Sequence, residues 1–361
     1  MKTSITRPRT RLLDTHDVAR LLHLMGVPAA LQELAGILKE DYLRWPDFDK
    51  ASRIGAYTDA GVIELMPITD GRHYTFKCVN GHPDNGRYGL PTVMAMGALL
   101  DCDTGMIRLL SELTLTTALR TAANSALAAR TLARPDSRVM AIIGNGAQSD
   151  FQAMAFRALL GIQDLRLYDL DQAASERLQR NLLNAHAFDT PFRIQICDSA
   201  AQAIQGADIV STLTAHQGPA QVLTANMLEP GMHINAVGGD SPGKTELDPA
   251  VLPRASVFVE YVPQTREEGE IQQMPADFPV VELWQVLTGV APGRVGPDQI
   301  TVFDSVGFAL EDYAALRFLR AAAERFGVGS WVDVTSSQDD PRDLFGWWLA
   351  QSVHEPEAVR A

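Results

Sequence analysis

The stretch VMAIIGNGAQSDFQAMAF, Val139 to Phe156, decides the fold. An apolar run of strand character, Val139 to Ile143, leads straight into Gly144-Asn145-Gly146-Ala147-Gln148-Ser149, and a helical pattern follows. Strand, glycine turn and helix in that order make a dinucleotide-binding fingerprint, here GxGxxS rather than GxGxxG/A. Gly144 permits the tight turn, and Gly146 lets a pyrophosphate approach the backbone. Ser149 is small enough for close helix–strand packing. The helix N-terminus offers unpaired N–H groups and positive potential to the phosphates. A second strand ends at Tyr168-Asp169, which puts Asp169 25 residues after Gly144. An acid there bonds the ribose hydroxyls and repels a 2′-phosphate, so NAD is expected rather than NADP.

Outward from this loop, strands and helices alternate. Strands are expected at 138–143, 164–168, 193–196, 207–212, 232–237, 256–260 and 299–303, with helices after several of them. Alternation of this kind implies a parallel sheet covered on both faces. Upstream of Arg134-Pro135 the texture differs. Residues 14–40 read as helices with a cap at Asp14 or Thr15. GVIELMPITD and RHYTFKCVN read as a hairpin, PTVMAMGALLDCDTGMIRLLSE as two more strands, and LTLTTALRTAANSALAARTLA as one long helix. FALEDYAALRFLRAAAERFGVG is a further amphipathic helix that leaves the α/β part and packs back on the first. The expected fold class is α/β: a Rossmann-type parallel-sheet NAD domain over 131–311, and an α+β substrate and dimerisation domain over 1–130 with 312–361. The segment holding Trp347 and Trp348 is expected to pack.

The 361-residue chain carries a net charge of −13, with a pI near 5.0. An acidic surface argues against general nucleic-acid binding. Cys78, Cys102 and Cys197 are scattered and form no CxxC, which reads as free thiols in a reducing, cytoplasmic setting. No apolar run reaches a membrane span, and no HExxH or similar pairing points to a metal.

Charged residues in apolar surroundings are the candidate chemistry. Arg53 in KASRIGAY, Lys77 in YTFKCVNG and Arg120 in TTALRTAANSA each need an anion if packed. A substrate carboxylate can supply it, and so can a structural ion pair. Glu64 alternates with Ile63 and Leu65 and is expected on the solvent face. AVGGDSPGKTEL, Ala236 to Leu247, follows a strand of the nucleotide-binding sheet. It therefore places Asp240 on a loop at a strand's carboxyl end, where α/β sheets bind ligands. Two glycines before Asp240 would bring it close to the cofactor.

Together VIELMP, FKCVNGHP, SELTLTTALRTAANSA, IGNGAQSDFQA, MLEPGMHINAVGGDSPGKTEL, FVEYVPQTREEGEIQQ and VFDSVGFALEDY make the chain resemble the ornithine cyclodeaminase/mu-crystallin family over nearly its whole length. The resemblance implies a homodimer, a small amino-acid substrate and tightly held NAD. It implies conversion of L-ornithine to L-proline and ammonia, with the cofactor recycled by internal hydride transfer. Lysine cyclodeamination, a ketimine reductase or amino-acid dehydrogenase, and a non-catalytic crystallin-like binder are the alternatives within the family. Arg53, Lys77 and Arg120 match positions that hold the substrate α-carboxylate. Asp240 matches the catalytic acid/base, Glu64 a polar position at the reacting end, and Val306 a substrate contact. Thr92, Arg120, Thr121, Gly144, Gly146, Ala147, Gln148, Asp169, Thr214, Asn235, Ala236, Val237, Lys244 and Ser305 match cofactor contacts. Lys244 is thus expected to serve the cofactor rather than to pair with Asp240.

Overall fold

The computed structural model describes residues 9–216 and 218–351. The chain opens with β1 (Thr10–Leu13), α1 (Thr15–Met25) and α2 (Val27–Leu43). Asp14 caps α1: its carboxylate accepts from the Asp17 N–H, and the Asp17 carboxylate accepts from the Asp14 N–H. Strands β2 (Asp49–Lys50), β3 (Ile54–Thr58), β4 (Gly61–Thr69), β5 (His73–Gly81), β6 (Val93–Asp101) and β7 (Ile107–Glu112) follow. They join β1 in a largely antiparallel sheet. Helix α3 (Thr114–Leu132), most of it buried and rich in Ala, then follows. It packs on α2 and also against the second sheet's flanking helix.

The second sheet is built from β8 (Val139–Ile143), α4 (Ser149–Leu160), β9 (Asp164–Tyr168), α5 (Gln172–Asn184), β10 (Arg193–Ile196), α6 (Ala200–Ile204) and β11 (Ile209–Thr212). It continues through β12 (Pro219–Leu223), β13 (His233–Ala236), β14 (Thr245–Leu247), β15 (Ser256–Val259), α7 (Val262–Glu268), β16 (Val281–Glu282), α8 (Leu283–Leu287) and β17 (Thr301–Asp304). Eight of these strands form one parallel sheet in the order β10-β9-β8-β11-β13-β17-β15-β16. The expected strand limits hold within two residues. Strands β12 and β14 were not expected. They are short, pair only with each other, and carry no alternation to read.

Chain order along the sheet reverses between β8 and β11, the switch point where such sheets bind ligands. Finally α9 (Ala309–Phe326) returns across β4, β5 and β6, β18 (Ser330–Val332) pairs with β1, and α10 (Leu344–Gln351) ends the described chain. Helix α10 corrects one expectation. It buries none of its residues; the Phe345 and Trp348 rings lie against each other at a tilt, 5.3 Å between centroids, and remain exposed. Among the described residues no single helix is long and apolar enough to cross a membrane.

Candidate active site

The glycine loop sits at the switch point. Gly144 has φ +89°, and a Cβ on it would lie 2.8 Å from the Leu213 carbonyl carbon at the end of β11. Only glycine fits, because the β8 and β11 ends close on each other there. At Gly146 a Cβ would meet nothing within 4 Å, so the loop's outer face has room for a pyrophosphate. Ser149 is fully buried and donates to the Gly146 carbonyl at 2.6 Å, as a small residue packing helix on strand should. Asp169 accepts from the Asn145 N–H at 2.6 Å and from the Asp171 N–H at 2.8 Å. These bonds aim its carboxylate across the loop mouth. Gln148 ties the loop to α3 by donating to the Ala118 carbonyl. Ala147 lies in the same turn. The Thr214 N–H, at the end of β11, donates to buried Glu246. These residues fit an NAD pyrophosphate and ribose.

The three cations come together at the N-terminus of α9. Lys77 on β5 lies 2.9 Å from Asp312. Arg120 on α3 pairs with Glu311 and lies 3.2 Å from Asp312. Arg53 contacts Glu64 and Glu268, each at 3.0 Å, and donates to the Val306 and Gly307 carbonyls. Acids in the first turn of a helix are favoured by its N-terminal potential, which is why Glu311 and Asp312 can anchor two buried cations. Burial, reinforced by Arg120, brings Lys77 down to about 8. Thr121 follows Arg120 on α3.

Glu64 overturns its expectation. It is 6% exposed and faces inward, while Ile63 and Leu65 are 51% and 38% exposed. Alternation held, but its sign was inverted: the inner face of β4 meets the cation cluster, and the outer face is apolar and open.

After β13 the chain forms the Asp240 loop. Asn235 and Ala236 are buried at the strand's end, and Val237 leads out of it. Pro242 and Gly243, with φ +79° at Gly243, make a turn closed by Lys244 N–H donating to the Ser241 carbonyl. That turn brings Lys244 back to Asp240, Nζ to Oδ1 2.8 Å, so Lys244 is a salt-bridge partner after all. Asp240 keeps 48% of its side chain exposed and Lys244 only 10%. Although burial opposes it, Asp240 holds Lys244 above the usual lysine range.

Gly238 and Gly239 have a reason the sequence did not suggest. A Cβ on either would lie within 2.6 Å of a buried carboxylate oxygen, of Glu246 and Glu270 respectively. Glu246 accepts from Gly238 N–H and Thr214 N–H; Glu270 accepts from Glu246 N–H and Leu247 N–H. Asp304 in turn accepts from the Glu270 and Ile271 N–H groups. Burial, with Asp304 nearby, pushes Glu270 up to about 8, and burial pushes Asp304 up to about 7. Ser305 donates to Glu260, which also accepts from the Val306 N–H. Burial and Glu311 hold Glu260 well above its usual range.

The structure therefore joins Arg53, Glu64, Lys77, Arg120 and Val306 in one cluster, with Asp240 close enough to Arg53 and Glu268 for their charges to interact. Thr92 stands apart, exposed in the loop before β6, its carbonyl bonded to the His82 N–H within its own sheet. The carboxylates Glu246, Glu260, Glu268, Glu270, Asp304, Glu311 and Asp312 were given no role from sequence. The signal was present: FVEYVPQTREEGEIQQ packs four acids into sixteen residues with only one basic residue beside them.

A switch-point glycine loop beside a buried cation cluster defines a Rossmann-type dinucleotide-binding protein with a site for a small anion. The chain belongs to the ornithine cyclodeaminase/mu-crystallin family, whose profile matches residues 16–326. It is 53% identical to an ornithine cyclodeaminase of Agrobacterium tumefaciens (strain Ach5), covering 96% of each chain. Among solved structures it is similar to a lysine cyclodeaminase studied for its recognition of L-lysine, L-ornithine and L-2,4-diaminobutyric acid. That match has a TM-score of 0.86 and 34% identity over 93% of this chain and 99% of that one. An archaeal alanine dehydrogenase dimer with bound NAD matches at TM-score 0.82 and 29% identity, over 91% and 100%.

Proposed function

We propose that this protein converts L-ornithine to L-proline and ammonia on a tightly held NAD that is regenerated in each turnover. The observation that carries this is the pairing of a buried, ion-paired cation cluster with one half-exposed carboxylate, Asp240, at the carboxyl ends of the nucleotide-binding sheet. The 53% identity to an ornithine cyclodeaminase supports ornithine as substrate. Bound NAD supplies the hydride acceptor and donor at the substrate's Cα. Gly144, Gly146, Ala147, Gln148 and Asp169 hold its phosphates and ribose. Arg53, Lys77 and Arg120 hold the substrate α-carboxylate and so fix where Cα lies.

Asp240 moves the protons. The substrate amines arrive protonated near neutral pH and are poor nucleophiles in that form. A carboxylate with half its surface free can take a proton from an amine and return one to departing ammonia. Lys244 steadies Asp240 as the carboxylate between those events. Glu64 carries Arg53 and borders the reacting end.

We read the chain as two domains, 1–130 with 312–361 and 131–311, a reading supported by the two separate eight-stranded sheets. Ile54, Ile63, Leu65, Met94 and Met96 expose an apolar face on the first sheet, and we read it as the homodimer contact. Replacing Ile63 by Lys should shift the protein to monomer in sedimentation; an unchanged dimer refutes that contact. Free thiols at Cys78, Cys102 and Cys197 support a cytoplasmic setting.

The test is to incubate the protein with excess L-ornithine and substoichiometric NAD. Many equivalents of proline and ammonia per NAD, without steady change in nicotinamide absorbance, are expected. A steady absorbance change would favour a reductase or dehydrogenase. Pipecolate formed from L-lysine in preference to proline from L-ornithine would favour the lysine reading. One methylene is worth only about 1–3 kcal/mol in a pocket, so the two substrates are run in competition.

A further inference from the structure

Arg53 already carries two anions. Glu64 Oε2 lies 3.0 Å from Nη1 and Glu268 Oε2 lies 3.0 Å from Nε. Nη2 is committed to the Val306 and Gly307 carbonyls. The two carboxylates are not equivalent. Glu64 accepts a hydrogen bond from Nη1. Glu268 Oε2 is buried with no hydrogen-bond partner, as is Arg53 Nε, so their contact is charge against charge without alignment. A substrate carboxylate docking on Arg53 becomes a third anion on one guanidinium, in a site where water is scarce. Three negative charges around one cation repel at short range, and the strain is relieved if one is neutralised. Neutralising Glu64 weakens a hydrogen bond; neutralising Glu268 breaks none.

We propose that Glu268 is a positioning residue that takes up a proton when a carboxylate docks on Arg53, so that substrate binding and protonation of Glu268 are one event. This rests on the reading of Arg53 as a ligand for the substrate carboxylate. The proton balance is one H+ drawn from solvent per carboxylate bound. The groups facing Glu268 are Arg53 just before β3, Tyr57 on β3, Glu64 on β4, Asp240 with its partner Lys244 on the loop after β13, and Glu267 on its own helix. Arg120 stands behind Arg53. Burial, with Glu64 and Asp240 adding to it against Arg53, already pushes Glu268 up to about 7. A further anion raises it again. Before binding, the ionised Glu268 holds Arg53 in place. After binding, the neutral acid leaves the guanidinium to the substrate.

The test uses the NAD-loaded protein and n-valerate, a five-carbon carboxylate with no amine, so any proton exchanged belongs to the protein. Calorimetry near pH 8 in buffers of different ionisation enthalpy counts protons. The wild type should take up close to one per valerate. Its affinity should fall by up to about tenfold per pH unit above 7, because the complex holds the proton more tightly than the free protein. Glu268→Gln should take up none and lose that pH dependence, and Glu268→Asp should restore both. A wild-type count of zero overturns the proposal whatever the variants do, and so does a Glu268→Gln count equal to the wild type's. If instead Arg53→Met binds valerate as well as the wild type does, the reading of Arg53 fails first, and this inference with it.

Discussion

In the clamp, Arg53, Lys77 and Arg120 keep 7%, 1% and 5% of their side chains exposed, and each faces at least one carboxylate, with Asp312 shared between Lys77 and Arg120. In the loop after β13, Asp240 keeps 48% and has one partner, Lys244. The two regions carry the same kinds of charge and use them differently. Buried ion pairs with every partner present are rigid, and removing one member strands the others. A half-exposed carboxylate on a turn can change protonation without that penalty. The clamp therefore suits holding and the loop suits proton transfer.

The largest expected break is Arg120→Met. It leaves Glu311 and Asp312 buried without their guanidinium, which should cost about 3–5 kcal/mol of stability by denaturant titration. A loss under ~1 kcal/mol would mean the clamp is not structurally committed. Smaller is Gly144→Ala. A Cβ 2.8 Å from the Leu213 backbone at φ +89° should weaken NAD binding by tenfold or more in equilibrium dialysis while the protein still folds, from strain of about 1–3 kcal/mol. Unchanged NAD affinity would remove the loop from the cofactor site.

Smaller again is a pH effect. Glu270 and Asp304 are pushed up to about 8 and about 7, so the folded state holds their protons more tightly than the unfolded chain does. Their stabilisation is full below the ordinary carboxylate range and is lost as pH rises through 7 and 8. Lys77, brought down to about 8, works in the opposite sense: its contribution is present above the ordinary lysine value and is lost as pH falls through 8. NAD-free protein should melt higher at pH 6 than at pH 8, and Glu270→Gln should flatten that slope. An equal slope in the variant would place the effect elsewhere.

Much of this was legible in the sequence because some signals are local. The Gly144 loop needs only a strand, a turn and a helix in order, and Asp14 needs only its capping partner three residues on. Glu64 was misplaced because alternation gives two faces without saying which is inside. The rule that apolar residues point inward fails where the outer face, with Ile63 and Leu65, is itself apolar. The pairing of Lys244 with Asp240 was not expected because the turn at Pro242-Gly243 closes the chain on itself, and only geometry shows it. The close approach of the Glu246 and Glu270 carboxylates to Gly238 and Gly239 was not readable as such. The glycines looked like flexibility, and their cause is two carboxylates that arrive from later in the chain. Long-range ion pairs such as Lys77–Asp312, 235 residues apart, leave no local trace at all.

The most direct test of the division between holding and proton transfer is Asp240→Asn in the NAD-loaded protein, with ammonia release from L-ornithine and n-valerate affinity measured together. The account predicts that kcat falls by about 10²–10⁴, the range a positioned proton-transfer group supplies, while NAD binding stays as in the wild type and valerate still binds. Turnover within a few-fold of the wild type would contradict it.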